Sequence, residues 1–262
     1  MTLTLTPLSG IPFIRAGDDL ASIVHDALRA SHITLHDGDA LVLAQKIVSK
    51  AEGRMVNLGA ITPSERALEL AARTDKDPRF VELILRESKE VLRVRPGLII
   101  VEHRLGFVCA NAGIDHSNVS PLPPQREGLG VGVSDWVLLL PENPDASAAA
   151  LRKRLEVETG ARVGVMIIDS HGRAWRLGIV GISIGFSGLP GLADLRGWPD
   201  LFDRALEVTQ VGVADELAAA ASLVMGQAAE GTPVVHVRGF PYPLREGSLG
   251  ELLRPKDEDL FR

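Results

Sequence analysis

Two short polar segments hold the side chains best suited to chemistry, and each follows an apolar run. The stretch "NAGIDHSNV", Asn111 to Val119, comes after "LGFVCA" and gathers two amides, one carboxylate, one imidazole and one hydroxyl. Asn, Asp, Gly and Ser are also the usual turn residues, so a polar turn accounts for the same letters. A second run, "VGVMII", ends on Asp169-Ser170. Carboxylates at two strand ends can converge across a sheet edge. Hard divalent cations such as Mg2+ or Mn2+ take oxygen ligands of this kind, commonly one or two carboxylates with water and phosphate oxygens. Lys46 and Lys50, within "AQKIVSKAEGR", mark another expected strand exit. They read either as solvated surface lysines or as cationic contacts to a triphosphate.

Several other chemistries are excluded. No G-x-x-x-x-G-K-[ST] loop is present, so a Walker-type nucleotide site is ruled out. "GLGVGVSD" has glycines spaced like a dinucleotide loop, but it precedes an expected strand instead of opening a helix. Neither H-E-x-x-H nor G-x-S-x-G occurs, and the seven histidines lack metal-ligand spacing. The single Cys109 rules out an internal disulfide, and its apolar neighbours make it a small core residue.

The elements that must position these groups follow from periodicity and punctuation. "MTLTLT" alternates as an initial strand. Asp18 to Ala30 has Leu20, Ile23, Val24, Ala27 and Leu28 on one helical face. Asp39 to Arg54 opens as a buried strand and then turns polar. Thr62, Pro63 and Glu65 fit a capping box with Pro at the first helical position, and Pro78 begins a second helical stretch, "PRFVELILRESKEV". Strands joined by turns at Pro96-Gly97 and near Gly106 lead to the "NAGIDHSNV" motif. "SPLPPQREGLGVGVSD" reads as an irregular loop, "WVLLLP" as a short strand, and "NPDASAAALRKRLEVETG" as a helix stopped by Gly160.

A hairpin follows, with the strand Val163–Ile168, a turn at His171-Gly172 and a return strand spotted with Gly178, Gly181, Gly185 and Gly188. Such glycines mark close approach of a backbone or ligand. "DLFDRALEVTQVGVADELAAAASLVMGQAAEG" is helix-rich, and "PVVHVRG" is the last strand. Hairpins without regular βαβ alternation point to an α+β fold of mixed sheets with packed helices.

The 262 residues suffice for a large core, with 45% hydrophobic and 24% charged residues. The formal net charge of −6 argues against nucleic acid as a partner, since phosphate contacts call for a basic face. It leaves room for a small anion if metal ions and a few cations reverse the local field. The sequence has no membrane-length apolar run and no signal-peptide pattern, so a cytoplasmic protein is expected.

One ordered set of segments runs through nearly the whole chain: "GIPFIRAGDDL", "AQKIVSKAEGR", "NAGIDHSNV", "IIDSHGRAWRLGIVGISIG", "GLADLRGWPD" and "VADELAAAASLVMGQAAEGTPVVHVRG". In order and combination these resemble the coenzyme F420-0:L-glutamate ligases, also called F420 γ-glutamyl ligases. The resemblance implies an enzyme that joins L-glutamate to F420-0 with GTP, through an acyl phosphate, and then extends a γ-linked tail. It implies Mg2+ or Mn2+ at two sites, assistance by K+, and an intertwined homodimer. It also implies one ligase domain over residues 1–262, either alone or as the first domain of a longer protein.

By the same resemblance, Asp115 and Asp169 hold one metal, while Ser170 and Gln227 help hold the other. Ser170 stands where Thr is frequent, and it keeps the hydroxyl. Nucleotide contacts are implied for Gly10, Ile11, Pro12, Phe13, Gln45, Lys46, Lys50 and Asn118. They are also implied for Met225, Gly226, Gln227, Ala228, Ala229, Glu230, Gly231 and Thr232. Asp115, Asp169 and Lys50 form the expected catalytic set. From charge alone, Arg173, Arg176 and Arg196 are candidates to meet the phosphodiester or carboxylates of F420-0. The competing readings are a nucleotide- or metal-binding module without catalysis, and a related ligase with a different acid acceptor.

Overall fold

The structure, a computed structural model, describes residues 2–119 and 135–260. Strand β1 (Thr4–Pro7) is followed by helix α1 (Leu20–Ala30), which Asp19 caps by accepting from the Ala21 and Ser22 amides. Strand β2 (Ala40–Ala44) runs directly into helix α2 (Gln45–Ala51), and then comes β3 (Met55–Asn57). Helices α3 (Glu65–Thr74) and α4 (Pro78–Arg86) lead to a meander of β4 (Ser88–Arg95), β5 (Leu98–His103) and β6 (Val108–Ala110). Next are β7 (Trp136–Leu138), α5 (Pro144–Thr159) and the long hairpin of β8 (Gly164–Arg173) and β9 (Arg176–Ser187). Two short strands, β10 (Ala193–Asp194) and β11 (Gln210–Val211), precede α6 (Val213–Met225) and β12 (Val234–Arg238). No described helix is long and apolar enough to cross a membrane.

The main sheet has the order β1-β12-β2-β8-β9. Its central pair, β2 and β8, is parallel, and every other pairing is antiparallel. Both faces are covered, so the central strands are continuous apolar runs such as "ALVLA". Leu41, Leu43, Val165 and Ile167 share one core with Val24 and Leu28 of α1 and with Leu151 and Leu155 of α5. Ala40, Val42, Met166 and Ile168 share the other with Leu217, Ala218 and Ala221 of α6. The glycines of β9 make room for these helices. A Cβ at Gly181 would lie 2.5 Å from Ser222 Cβ and 2.7 Å from Ala218 O, and one at Gly185 would collide with Pro144.

The α+β architecture matches the expectation, and α5 runs from its Asn143 cap to a left-handed Gly160 as read. Five local expectations need correction. Lys46 and Lys50 do follow a strand exit, but on helix α2 where no helix was expected, since pairing with β8 ends at Ala44 and Gln45–Ala51 buries Ile47 and Val48. Helix α3 is capped by Ser64, not Thr62. The Ser64 hydroxyl accepts from Ala67, and Glu82 of α4 holds it in place. Helix α4 stops at Arg86, and "SKEV" joins β4 because β5 offers it a partner. Helix α6 begins only at Val213, while Asp200 turns the chain before it by accepting from the Phe202 and Arg204 amides. In the hairpin, Asp169, Ser170 and His171 are inside β8, opposite Ile182, Gly181 and Val180. The turn falls at Ala174-Trp175, with Trp175 in the left-handed region. Most of the glycine- and proline-rich loop lies outside the described residues.

A buried ionic cluster ties the layers together. Glu87 accepts from Arg54 at 3.0 Å and from Arg104 at 2.8 Å, and Arg54 also donates to Leu140 O. Burial opposes the ionised form of Glu87, but His103, Arg104 and Arg54 outweigh it and hold the carboxyl at about 2. A pKa below the ordinary 4.5 means that the stabilisation is complete above that pH and is lost as pH falls through about 2. Glu87→Gln therefore lowers stability at pH 7 by about 3 kcal/mol in urea denaturation, since Arg54 and Arg104 lose their buried partner. The gap between variant and wild type should close in acid, and equal urea midpoints at pH 7 would exclude this role.

Candidate functional site

One edge of the main sheet collects the expected site segments. Strands β1, β2 and β8 run in the same direction, and β12 starts where they finish. Leu8 N donates to Val234 O and Ala44 N to Pro233 O, so the chain after β1, the start of α2 and the approach to β12 leave from one side. Parallel pairing puts Ala44 opposite Ile168, which sets Gln45 beside Asp169 at the next step. The loop after β6 reaches the same edge from the other layer. Asn111 and Ala112 adopt φ of 49° and 54°, a sparsely populated region for a residue with a Cβ such as Ala112. Asn111 Oδ1 accepts from Ile99 N, and Asp115 pairs with Leu138 of β7 by backbone bonds in both directions.

The polar side chains meet there. Gln45 Nε2 donates to Asp115 Oδ2 at 2.7 Å, and Lys46 Nζ lies 3.5 Å from the same oxygen. Lys46 also donates to Ser117 Oγ at 2.9 Å, and Lys50 donates to Asn118 O at 2.9 Å. Ser49 donates to Gln45 Oε1 from one helical turn away, which fixes the amide. Asn118 Nδ2 reaches Ala228 O at 3.4 Å. Ser170 Oγ donates to Gln227 Oε1 at 2.8 Å, and His171 lies 2.8 Å from Asp169 Oδ2.

The electrostatics of the cluster are unbalanced. Burial, offset in part by the Lys46 ammonium and reinforced by the charge of Asp169, pushes Asp115 up to about 6. Burial and the neighbouring Lys46 hold Lys50 below the ordinary lysine range, with Asp115 opposing. Two carboxylates, one hydroxyl and one amide oxygen thus face an edge flanked by two ammonium groups. Among the described residues, no group of three or more His, Cys, Asp or Glu side chains is arranged to hold a metal ion. The oxygens available to a cation are those of Asp115 and Asp169 with the neutral Ser170 and Gln227.

Sequence comparison decides the family. The profile of F420-0:Gamma-glutamyl ligase matches residues 10–239. The chain belongs to the F420-0:gamma-glutamyl ligase family. It is therefore a ligase. Among its relatives, the coenzyme F420:L-glutamate ligase of Methanothermobacter thermautotrophicus is 48% identical, with all of both chains covered. The enzyme of the same name from Methanopyrus kandleri is 46% identical over all of this chain and 98% of its own. That of Archaeoglobus fulgidus is 45% identical over all of this chain and 97% of its own.

Within this γ-glutamyl ligase fold, the expected site residues are only partly brought together. Gln45 and Lys46 contact Asp115, Lys50 and Ala228 contact Asn118, and Ser170 is linked to Gln227. Gly10 to Phe13 leave the same sheet edge, with Phe13 exposed. Met225 to Thr232 form the turn after α6, closed by Thr232 Oγ1 on Met225 O and by Glu230 on Ala228 N. Arg173 and Arg176 face each other across the hairpin tip. Arg196 forks onto Asp194, which neutralises its charge locally. Sequence reading missed the roles of His171 and Ser49. Both had a signal, since His171 is two residues from Asp169 on a strand and Ser49 is four from Gln45 on a helix.

The raised pKa of Asp115 carries a stability consequence. It lies above the ordinary carboxylate value, so ionisation costs folding stability that is lost as pH rises through about 6. Asp115→Asn should stabilise the ligand-free protein by about 1–2 kcal/mol at pH 8 and by little at pH 5. Thermal melts of both proteins across that range check this, and a destabilised variant at pH 8 would contradict it.

Proposed function

We propose that this ligase joins L-glutamate to coenzyme F420-0 at the expense of GTP, and then extends the product as a γ-linked tail. The observation that carries the reading is full-length similarity to enzymes named coenzyme F420:L-glutamate ligase. The site supports it by residue type. A carboxylate that attacks a triphosphate brings two anions together, and catalysis is then largely positioning and charge stabilisation. Lys46 and Lys50 supply positive charge beside Asn118 and the 225–232 turn, a combination that suits a bound triphosphate.

In this scheme an acceptor carboxylate oxygen bonds to the γ-phosphorus, and GDP departs. The amine of glutamate then bonds to the acyl carbon, phosphate departs, and the amine proton is lost to solvent. The donor set fits a hard cation, because all its atoms are oxygens and two of the four groups are the carboxylates Asp115 and Asp169. Mg2+ or Mn2+ at two sites, one held by Asp115 and Asp169 and the other with help from Ser170 and Gln227, would neutralise charge on the transferred phosphoryl group, with K+ assisting. Asp169 is kept oriented by His171.

Mass spectrometry of protein incubated with F420-0, L-glutamate, GTP and Mn2+ tests the reading. Products heavier by successive glutamyl units are expected. Asp169→Asn should cut turnover by roughly 100-fold or more while the fold remains intact. GTP binding without phosphate release in the complete mixture would point to a binding module instead, and turnover only with another acid would move the acceptor.

We also propose that two copies associate. Trp175, Leu177 and Ile179 at the hairpin tip are exposed, with Leu177 at 99%. Trp198, Leu201, Phe202 and Val208 project from the segment before α6. Apolar surface of this kind is unusual on a solitary chain. Sedimentation should give a dimer mass, and Leu177→Asp should shift it toward monomer. A wild-type monomer at micromolar concentration would refute the proposal.

A further inference from the structure

Helix α2 carries two buried polar side chains among apolar ones. Gln45 is 1% exposed and Ser49 fully buried, beside the buried Ile47 and Val48. Buried amides and hydroxyls cost free energy unless they are hydrogen-bonded, and apolar residues would fill the same space without that demand. A serine inside a helix commonly turns its hydroxyl back to the carbonyl four residues earlier. Ser49 instead donates to the side chain four residues earlier, reaching Gln45 Oε1 at 2.8 Å. Gln45 Nε2 in turn donates to Asp115 Oδ2 at 2.7 Å.

Charge fixes the direction of this chain of bonds. An ionised carboxylate only accepts, so the amide must turn its nitrogen to Asp115 and its oxygen to Ser49, and the hydroxyl must donate. Lys46 Nζ lies 3.5 Å from the same Oδ2. Gln45 and Lys46 thus both engage one oxygen of Asp115, and Oδ1 is the other. The backbone of Asp115 is tied separately, by its two bonds with Leu138, so the amide acts on the side chain. The same burial speaks against a nucleotide contact through the Gln45 side chain, because both ends of its amide are engaged inside the protein.

We propose that Ser49 and Gln45 form a positioning relay that aims the Asp115 carboxylate at a divalent cation, holding Oδ2 so that Oδ1 is presented to the ion. The proposal rests on the reading of Asp115 as a ligand of Mg2+ or Mn2+. It gives the Gln45 side chain a role in metal affinity in place of the nucleotide contact implied by family resemblance.

Calorimetric titration with Mn2+ tests this without turnover. Gln45→Met keeps the length and apolar packing of the side chain but removes the amide. Ser49→Ala removes only the hydroxyl, whose hydrogen goes to Gln45. Both variants should bind Mn2+ more weakly, Gln45→Met by roughly tenfold or more, the scale for losing the partner that orients a metal ligand. The double variant should bind no more weakly than Gln45→Met alone, because the hydroxyl acts only through the amide. GDP affinity at saturating Mn2+ should stay at the wild-type value. Unchanged Mn2+ affinity in Gln45→Met would overturn the proposal, as would additive losses in the double variant or a loss of GDP affinity with Mn2+ affinity intact. If Gln45→Met does not fold, Ser49→Ala decides alone: weaker Mn2+ binding at an unchanged melting temperature supports the relay, and unchanged binding overturns it. Wild-type protein that takes up no Mn2+ would sink the metal reading and the relay with it, a result distinct from Mn2+ uptake that the variants leave intact.

Discussion

Strands β2 and β8 lie side by side and parallel at the centre of the sheet, with Ala40 opposite Gly164 and Ala44 opposite Ile168. Parallel neighbours cannot be joined by a tight turn. The chain must therefore leave the sheet after Ala44 and return at Gly164, and the crossover builds a second layer from α2 to α5. That layer delivers "NAGIDHSNV" back to the edge it left. Because both central strands run the same way, Gln45 and Asp169 emerge together, and the loop with Asp115 closes over them. An antiparallel pair at this position would send the two segments to opposite ends of the sheet.

The charges at that edge are individually unfavourable. Asp115 is partly removed from water and sits near a second carboxylate, while Lys50 is partly buried near a second ammonium. The scaffold compensates by fixing their neighbours. Ser49 holds Gln45, Gln45 holds Asp115, and His171 holds Asp169. The two-way pairing of Asp115 with Leu138 anchors the loop backbone, and the left-handed Ala112 is tolerated because its surroundings are packed. Such prearranged charge is what electrostatic catalysis requires, and it costs stability in the free protein.

Much of the fold was legible from short-range signals. The runs "ALVLA" and "VVHVR" read as buried strands, and α5 announced itself by Asn143-Pro144 and Gly160. The misreadings share a cause. "SKEV" continues a helical pattern until β5 offers it hydrogen bonds, and Thr62 satisfies a capping rule until Glu82 fixes Ser64 in the role. "IIDSHGR" looks like a strand end because Asp and Ser break the apolar run, yet β9 is long enough to carry the pairing to Arg173. In each case a partner distant in sequence overrode a local preference.

At the site, the sequence alone determined which chemical groups were available: carboxylates in two polar segments, lysines four residues apart, and an ordered motif set that identified the family. It also determined the two-residue and four-residue periods that put His171 beside Asp169 and Ser49 beside Gln45. The tertiary structure decided which groups meet. Gln45 finds Asp115 70 positions away, and Asn118 finds Ala228 at a distance of 110. Such contacts depend on strand order and register, which the packing of both sheet faces selects. The energy that brings Lys50 to Asn118 is spread over the whole core, so no local stretch of sequence encodes it.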